Sequence, residues 1–233
     1  MGQIQAFEQL LYRHLIPEFC ADQRRRCTLQ GFRNDSVKVS ENDAGDFLRA
    51  WDGGLLTHKG RGLYRAAVSS ASEQFFWEGP KESKLRWFSL WLEPVITIAA
   101  LARLHFDHGW PTDLLGTQST NWAFDLVALS GPGDSELIAG EVKKTAKEVE
   151  TLLLRMAQFG YNPDAPCPAA GKERNAFKKV AALRTGRAPL FWAIGPDRLS
   201  KAYRVTYVSE VVNLTAVEEA ELSYSRCAGL CGA

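Results

Sequence analysis

Residues 122–144 read WAFDLVALSGPGDSELIAGEVKK, two short apolar segments joined by a turn. The joining residues 130–135 contain two glycines, a proline and an aspartate, a composition typical of a tight turn. The flanking segments 122–129 and 137–142 have the length and apolar content of strands. This stretch therefore predicts a β-hairpin.

Three charged side chains are predicted to meet at the open end of this hairpin. Asp125 and Glu141 each lie eight residues from Gly133, the centre of the turn. We therefore expect them on neighbouring strands, with Cβ atoms about 5 Å apart if they share a face. Lys143 follows Glu141 by two residues, so both point to the same side of their strand.

Such a group of charges indicates a divalent cation. Two neighbouring carboxylates repel each other and lose solvation unless a cation joins them. Oxygen ligands suit Mg²⁺, with Mn²⁺ as an alternative ion, and a bound metal lowers the pKa of a water and polarises a phosphoryl oxygen. Lys143 can then orient that water or stabilise the charge of the transition state. A simple salt bridge between Glu141 and Lys143 on an edge strand is the alternative.

The segments around the hairpin predict a mixed α/β fold. Apolar residues at helical spacing predict a helix over 81–108, with a kink or a junction at Pro94. The other segments are predicted as a strand over 112–118, helices over 146–159 and 175–183, and strands over 189–194 and 203–208. This order predicts a mixed central sheet flanked by helices.

The first eighty residues have a different character. A helix is predicted over 4–19 and strands are predicted within 60–79, followed by a break at Gly79-Pro80. We therefore expect an N-terminal α+β lobe over residues 1–80 and a core with a C-terminal extension over 81–233. The lobe is expected to grip nucleic acid or to mediate oligomerisation.

The charged residues resemble a known signature. Asp125, a gap of fifteen residues and then Glu141-Val142-Lys143 is similar to the PD-(D/E)xK motif of restriction-endonuclease-like nucleases. The resemblance covers about residues 84–195 and includes the order of the elements. It implies that Asp125, Glu141 and the backbone carbonyl of Val142 hold the metal, and that Lys143 is the base that positions the water.

Two further positions match the same family, and one departs from it. Glu93 corresponds to an acid that many members carry on the preceding helix, and Gln158 to a supporting glutamine on the following helix. Phe124 stands where the motif has proline. The resemblance thus implies Glu93 as a fourth catalytic residue.

Basic side chains are concentrated near this motif although the formal net charge is only +1. The run 172–187 has six basic side chains and a single acidic one. A solvated face is the simpler interpretation, and contact with the phosphates of duplex DNA rather than RNA is the functional one. The predicted nucleic-acid-binding residues are Lys144, Lys147, Lys172, Arg174, Lys178 and Lys179.

The resemblance implies a Mg²⁺-dependent endodeoxyribonuclease, in restriction or anti-phage defence, that forms a homodimer or a higher homo-oligomer. A repair or recombination nuclease such as a junction resolvase, an inactive nuclease-like binding module and a plain α/β interaction protein are the alternatives. The five cysteines are odd in number and no signal peptide precedes them, which predicts a cytoplasmic protein. No apolar stretch approaches the ~20 residues of a membrane span, so no membrane partner is expected.

Overall fold

A computed structural model describes residues 2–34, 38–81 and 86–228, which form a mixed α/β fold. The N-terminal part combines helices with short strands. Its helices are α1 (Gln3–Leu10), a π-helical turn (Leu11–Leu15), α2 (Ile16–Cys20), a 3-10 turn (Gln23–Arg25) and α3 (Glu41–Asp52). Its strands are β1 (Cys27–Arg33), β2 (Thr57–His58), β3 (Leu63–Arg65), β4 (Glu73–Gln74) and β5 (Phe76–Glu78). The helix predicted over 4–19 and the strands predicted within 60–79 are confirmed.

The helix predicted over 81–108 is wrong in its first part. Residues Arg86–Leu90 form strand β6, which pairs antiparallel with β5 and parallel with β1, and α4 spans Leu92–Phe106. Alternate residues of β6 are buried, which is the period of a strand. Pro94 lies in the first turn of α4, where a missing N–H breaks no helical hydrogen bond, so no kink is needed there. Residues 82–85 of the predicted helix lie outside the described residues.

A six-stranded mixed sheet forms the second part of the fold. Its elements are a 3-10 turn (Thr112–Leu114), β7 (Leu115–Thr117), β8 (Leu126–Leu129), β9 (Glu136–Val142), α5 (Ala146–Tyr161), α6 (Gly171–Gly186), β10 (Leu190–Ile194), β11 (Ser200–Val208) and β12 (Val211–Val217). The strand order is β12-β11-β10-β9-β8-β7, with β9 and β10 parallel and the other pairs antiparallel. The element order is confirmed, and β12 is an addition to it. A 3-10 turn (Glu219–Leu222) and α7 (Tyr224–Ala228) follow.

Different helices cover the two faces of this sheet. Ile138 and Val142 of β9 belong to the buried cluster that includes α4, whereas Ala139 belongs to the cluster built with α5 and α6. Because side chains alternate along a strand, Glu141 shares the α5 and α6 side with Ala139. A Cβ at Gly160 would collide with the carbonyl oxygen of Val212, so the close approach of α5 to β12 depends on this glycine. The sheet thus presents Glu141 beneath two helices.

The N-terminal elements and α4 pack into one buried cluster. Phe7 of α1, Phe76 of β5 and Leu101 of α4 all belong to it. The predicted boundary at residues 80 and 81 falls between the paired strands β5 and β6. Within the described ranges, no helix has the length and apolar character needed to cross a membrane.

Candidate functional site

The hairpin of β8 and β9 has the predicted register over residues 126–128, but it shifts by one residue between Ala128 and Leu129. The strand predicted over 122–129 is too long, because β8 begins at Leu126. Leu126 pairs with Gly140, Val127 with Ala139 and Ala128 with Ile138. Asp125 immediately precedes β8, and its backbone N–H donates to the carbonyl oxygen of Gly140 at 3.0 Å. Glu141 follows Gly140 and is close enough for its charge to act on the carboxyl group of Asp125.

Asp125 is held at the start of β8 by the neighbouring strand. Its Oδ2 accepts a hydrogen bond from the backbone N–H of Val142 at 2.9 Å. Burial raises the pKa of Asp125 to about 8 and the charge of Glu141 adds to this shift, while Lys179 and Lys143 oppose it. The carboxyl group of Asp125 therefore holds a proton at neutral pH.

Glu141 lies inside the sheet with only 2% of its surface exposed. Both of its oxygens are engaged: Lys143 Nζ donates to Oε1 and Lys179 Nζ donates to Oε2, each at 2.5 Å. Two ammonium groups offset the large cost of burying a carboxylate. The salt bridge between Glu141 and Lys143 is thus present, but β9 is an interior strand and not an edge strand.

Lys143 follows the last residue of β9. Its Nζ also donates to the carbonyl oxygen of Val142 at 2.8 Å. Burial alone would lower the pKa of Lys143, but the carboxylates of Glu141, Asp125 and Glu93 outweigh it and raise the pKa above its ordinary value. Lys143 is therefore a charged ammonium group at neutral pH.

Lys179, which was predicted to contact nucleic acid, contacts Glu141 in the structure. Its side chain is 12% exposed on α6, and its Nζ donates to Glu141 and, at 2.7 Å, to the carbonyl oxygen of Ala123. It therefore ties Glu141 to the loop before Asp125. The sequence contains a signal for this position, because Lys179 lies at helical spacing with the buried residues Ala176, Val180 and Leu183.

The other predicted residues are divided between the site and the surface. Glu93, in the first turn of α4, accepts a hydrogen bond from Trp91 Nε1 at 3.2 Å and lines the same cavity as Lys143. Gln158 is exposed on α5 and does not line this cavity. The remaining basic residues are all exposed; they are Lys144, Lys147, Lys172, Arg174 and Lys178.

The cavity beside Lys143 has a volume of about 190 Å³ and lies between α4, α5 and α6. Arg155 of α5 and Lys172 of α6 contribute further basic groups to its lining. Arg155 was missed by sequence reasoning, because an arginine on an amphipathic helix gives no indication that it faces a cavity. The site therefore extends from the acidic pair into this cavity.

The oxygen atoms at the site fit the ligand preference of Mg²⁺. Asp125, Glu141 and the carbonyl of Val142 offer oxygen only, and Mg²⁺ commonly completes its shell with waters and substrate phosphate. Among the described residues, no three His, Cys, Asp or Glu side chains form a metal-binding group by themselves. A cation would therefore depend on the carbonyl and on water, and it would replace Lys143 at the oxygens that this lysine now contacts.

Comparison with protein-family models, with curated proteins and with solved structures finds no match for this chain. The likeness of Asp125, Glu141 and Lys143 to the PD-(D/E)xK motif thus stays a resemblance. The function is therefore inferred from the site itself.

The raised pKa of Asp125 leads to a prediction for stability. The unfolded carboxyl ionises near its ordinary pKa of 3.8, while the folded one keeps its proton until about pH 8. The unfolded state is therefore favoured progressively as the pH rises between these values. Asp125→Asn cannot ionise and retains an oxygen that can accept from Val142 N–H.

We expect Asp125→Asn, in buffer with a chelator, to have a free energy of unfolding about 2 kcal/mol above wild type near pH 9. The whole pKa shift of Asp125 would correspond to a larger difference, but solvent reaches part of this side chain and reduces it. Near pH 4 the two proteins should be nearly equal. Urea denaturation at both pH values measures the difference, and a difference that does not change with pH would contradict the raised pKa.

Proposed function

We propose that this chain is a Mg²⁺-dependent nuclease that hydrolyses DNA phosphodiester bonds, with Asp125, Glu141 and Lys143 at its active centre. The observation that supports it is the closeness of the carboxyl groups of Asp125 and Glu141 at one end of the β8–β9 hairpin, with the ammonium group of Lys143 bonded to Glu141. A protonated aspartate, a buried glutamate and a lysine at one end of a sheet destabilise the fold relative to apolar side chains. Strongly shifted pKa values beside a cavity are characteristic of functional sites.

The side chains have distinct roles in this proposal. Asp125, Glu141 and the Val142 carbonyl would hold Mg²⁺, which lowers the pKa of a bound water and polarises a phosphoryl oxygen. Lys143 keeps its proton at neutral pH, so we assign it to charge stabilisation and to orienting the attacking water rather than to proton abstraction. Lys179 is a positioning residue, since it holds both Glu141 and the backbone before Asp125.

The surface around the site supports a polyanionic substrate. Exposed lysines at the start of α5 and exposed basic side chains on α6 are close in sequence to the residues that line the cavity. Such side chains attract the phosphate backbone independently of base sequence. The same proposal includes duplex DNA as the substrate, a restriction-endonuclease-like core, a role in restriction or anti-phage defence and a homo-oligomer. A repair or recombination nuclease would use the same residues.

One observation favours a second candidate, a nuclease-like module that binds nucleic acid without cleaving it. Both oxygens of Glu141 already form ion pairs with lysines, so the charge of this carboxylate is balanced without a metal. Such a module would bind DNA equally with and without Mg²⁺.

The test is incubation of supercoiled plasmid, linear duplex and branched DNA with the protein, with Mg²⁺ and with a chelator. The proposal predicts nicked or linear products with Mg²⁺ only, and preferential cutting of branched DNA would identify a junction nuclease. Binding of DNA with no cleavage of any substrate in Mg²⁺ or Mn²⁺ would contradict the proposal and favour the binding module.

A further inference from the structure

The cavity beside Lys143 contains more charge than the proposed metal chemistry uses. Lys143, Arg155 and Lys172 give it three basic groups, and Glu93 and Glu148 give it two acidic ones. Lys172 Nζ lies 3.7 Å from Glu148 Oε1, and Lys143 is bonded to Glu141. Arg155 is the basic group of this cavity that has no acidic partner among the described residues.

Arg155 makes no hydrogen bond and no ion pair within the described part of the chain. Its side chain is partly buried, and its Nη1 is shut off from solvent without any hydrogen-bond partner. A buried charged donor without a partner destabilises a fold. Arg198 makes two hydrogen bonds with Asp46, and Arg103 bonds to Glu219. The Nε of Arg25 is also buried without a hydrogen-bond partner, but the guanidinium group of Arg25 pairs with Glu78 through Nη1. Nε and Nη2 of Arg155 also have no partner among the described residues but are not closed off from solvent, so a ligand in the cavity that Arg155 lines could supply their acceptors.

The ligand that fits these groups is a phosphate. A guanidinium group presents its donors in a planar fork that matches two phosphate oxygens. Thr151 and Asn175, which also line the cavity, add neutral hydrogen-bonding groups. Three basic and two acidic side chains leave one net positive charge, which balances the single charge of a phosphodiester better than the charge of about −2 on a terminal phosphate.

We propose that the Arg155 cavity binds a phosphate group of the nucleic-acid strand that is cut at the neighbouring acidic pair. This inference rests on the proposed nuclease function for the identity of the strand. It adds a second contact beyond the metal site, which would fix the strand relative to Lys143. An internal phosphodiester is the expected source, and a phosphorylated strand end is the other source of the same chemistry.

The first test measures binding without metal. Inorganic phosphate and a thymidine dinucleotide are titrated into wild type, Arg155→Met, Arg155→Lys and Arg13→Met in the presence of a chelator. Arg13 is an exposed arginine of the π-helical turn Leu11–Leu15 and does not line the cavity. Arg13→Met therefore removes the same charge without changing the cavity. Arg155→Met should weaken binding at least about tenfold, Arg155→Lys should weaken it less, and Arg13→Met should match wild type.

Stability measurements separate a binding role from a structural one. Because Arg155 has no partner among the described residues, Arg155→Met should unfold at the same urea concentration as wild type or a higher one. Equal phosphate affinity in wild type and Arg155→Met, or a marked loss of stability in the variant, would overturn the inference.

Cleavage assays distinguish the two proposals and the two sources of phosphate. DNA cleavage that persists unchanged in Arg155→Met would overturn this inference and leave the nuclease proposal intact. Phosphate binding that requires Arg155 in a protein that cuts no DNA would support the cavity and contradict the nuclease. If the substitution slows cleavage of oligonucleotides with and without terminal phosphates equally, the bound group is internal; an effect limited to 5′- or 3′-phosphorylated oligonucleotides identifies a strand end.

Discussion

Lys143→Met is expected to reduce Mg²⁺-dependent cleavage of DNA by about 10³-fold, because it removes the ammonium group that we assign to the transition state. Methionine has a similar length and needs no partner, so little other than the charge is lost. Glu141 keeps its ion pair with Lys179, which preserves the buried carboxylate. Single-turnover rates at saturating Mg²⁺ measure the loss.

Lys59→Met is the matched control for this substitution. Lys59 is an exposed lysine between β2 and β3. Its replacement by methionine removes the same charge at a position away from the site. This control should cleave at the wild-type rate, and the circular dichroism of both variants should match that of wild type. A Lys143→Met protein that retains wild-type cleavage would remove Lys143 from the active centre.

Glu141→Ala is expected to lower the free energy of unfolding by about 3 kcal/mol, whether or not the protein is an enzyme. Lys143 and Lys179 are 25% and 12% exposed, and the substitution leaves both ammonium groups without their carboxylate. Each would keep a backbone carbonyl as its remaining partner. Urea denaturation at neutral pH in a chelator measures the loss.

A double substitution tests the cause of that loss. Glu141→Leu combined with Lys179→Met removes a buried charge together with one of its partners, and it should recover much of the stability. Glu173→Ala, at an exposed position of α6, should change the free energy of unfolding by less than about 0.5 kcal/mol. A loss as small as this in Glu141→Ala would mean that the lysines are solvated in solution.

The hairpin was predictable because its determinants are local. The composition of residues 130–135 locates the turn, and the distance from the turn then sets which residues face each other. The same reasoning predicted α5, β10 and β11, whose apolar patterns have a clear period and length. Local patterns therefore determined the acidic pair as well as the central strands.

Strand β6 was not predictable in the same way because its partners are distant in sequence. Its apolar residues continue the helical spacing of α4, and only pairing with β1 and β5 decides in favour of a strand. Helix α3 was missed for a related reason. Its buried face contains Asp43, which accepts a hydrogen bond from the backbone N–H of Asp197, and Asp46, which accepts one from the side chain of Arg198, so its apolar pattern is interrupted. Both elements therefore depend on partners that are distant in sequence, which local patterns do not reveal.

On the helices, the sequence named Glu93, Lys172 and Lys179 but not the contact of Lys179 with Glu141 or the place of Arg155 beside the cavity. Lys179 and Arg155 reach the site from α6 and α5, and the face that each helix turns to the sheet depends on packing. The position of Lys179 on the buried face of α6 could have indicated a buried partner for this lysine, whereas the pattern of α5 gives no such indication for Arg155. Packing thus supplies the contacts that motifs do not.

Binding of Mg²⁺ to wild type and to Asp125→Asn, measured by titration calorimetry between about pH 6 and pH 9, tests the shared-cation site most directly. Because Asp125 must lose its proton to bind a cation, wild-type affinity should rise with pH up to about 8 and then level off. The variant should bind Mg²⁺ at least about tenfold more weakly at every pH. Equal affinity in the two proteins, or no binding to wild type at the highest pH, would show that the two acids do not share a divalent ion.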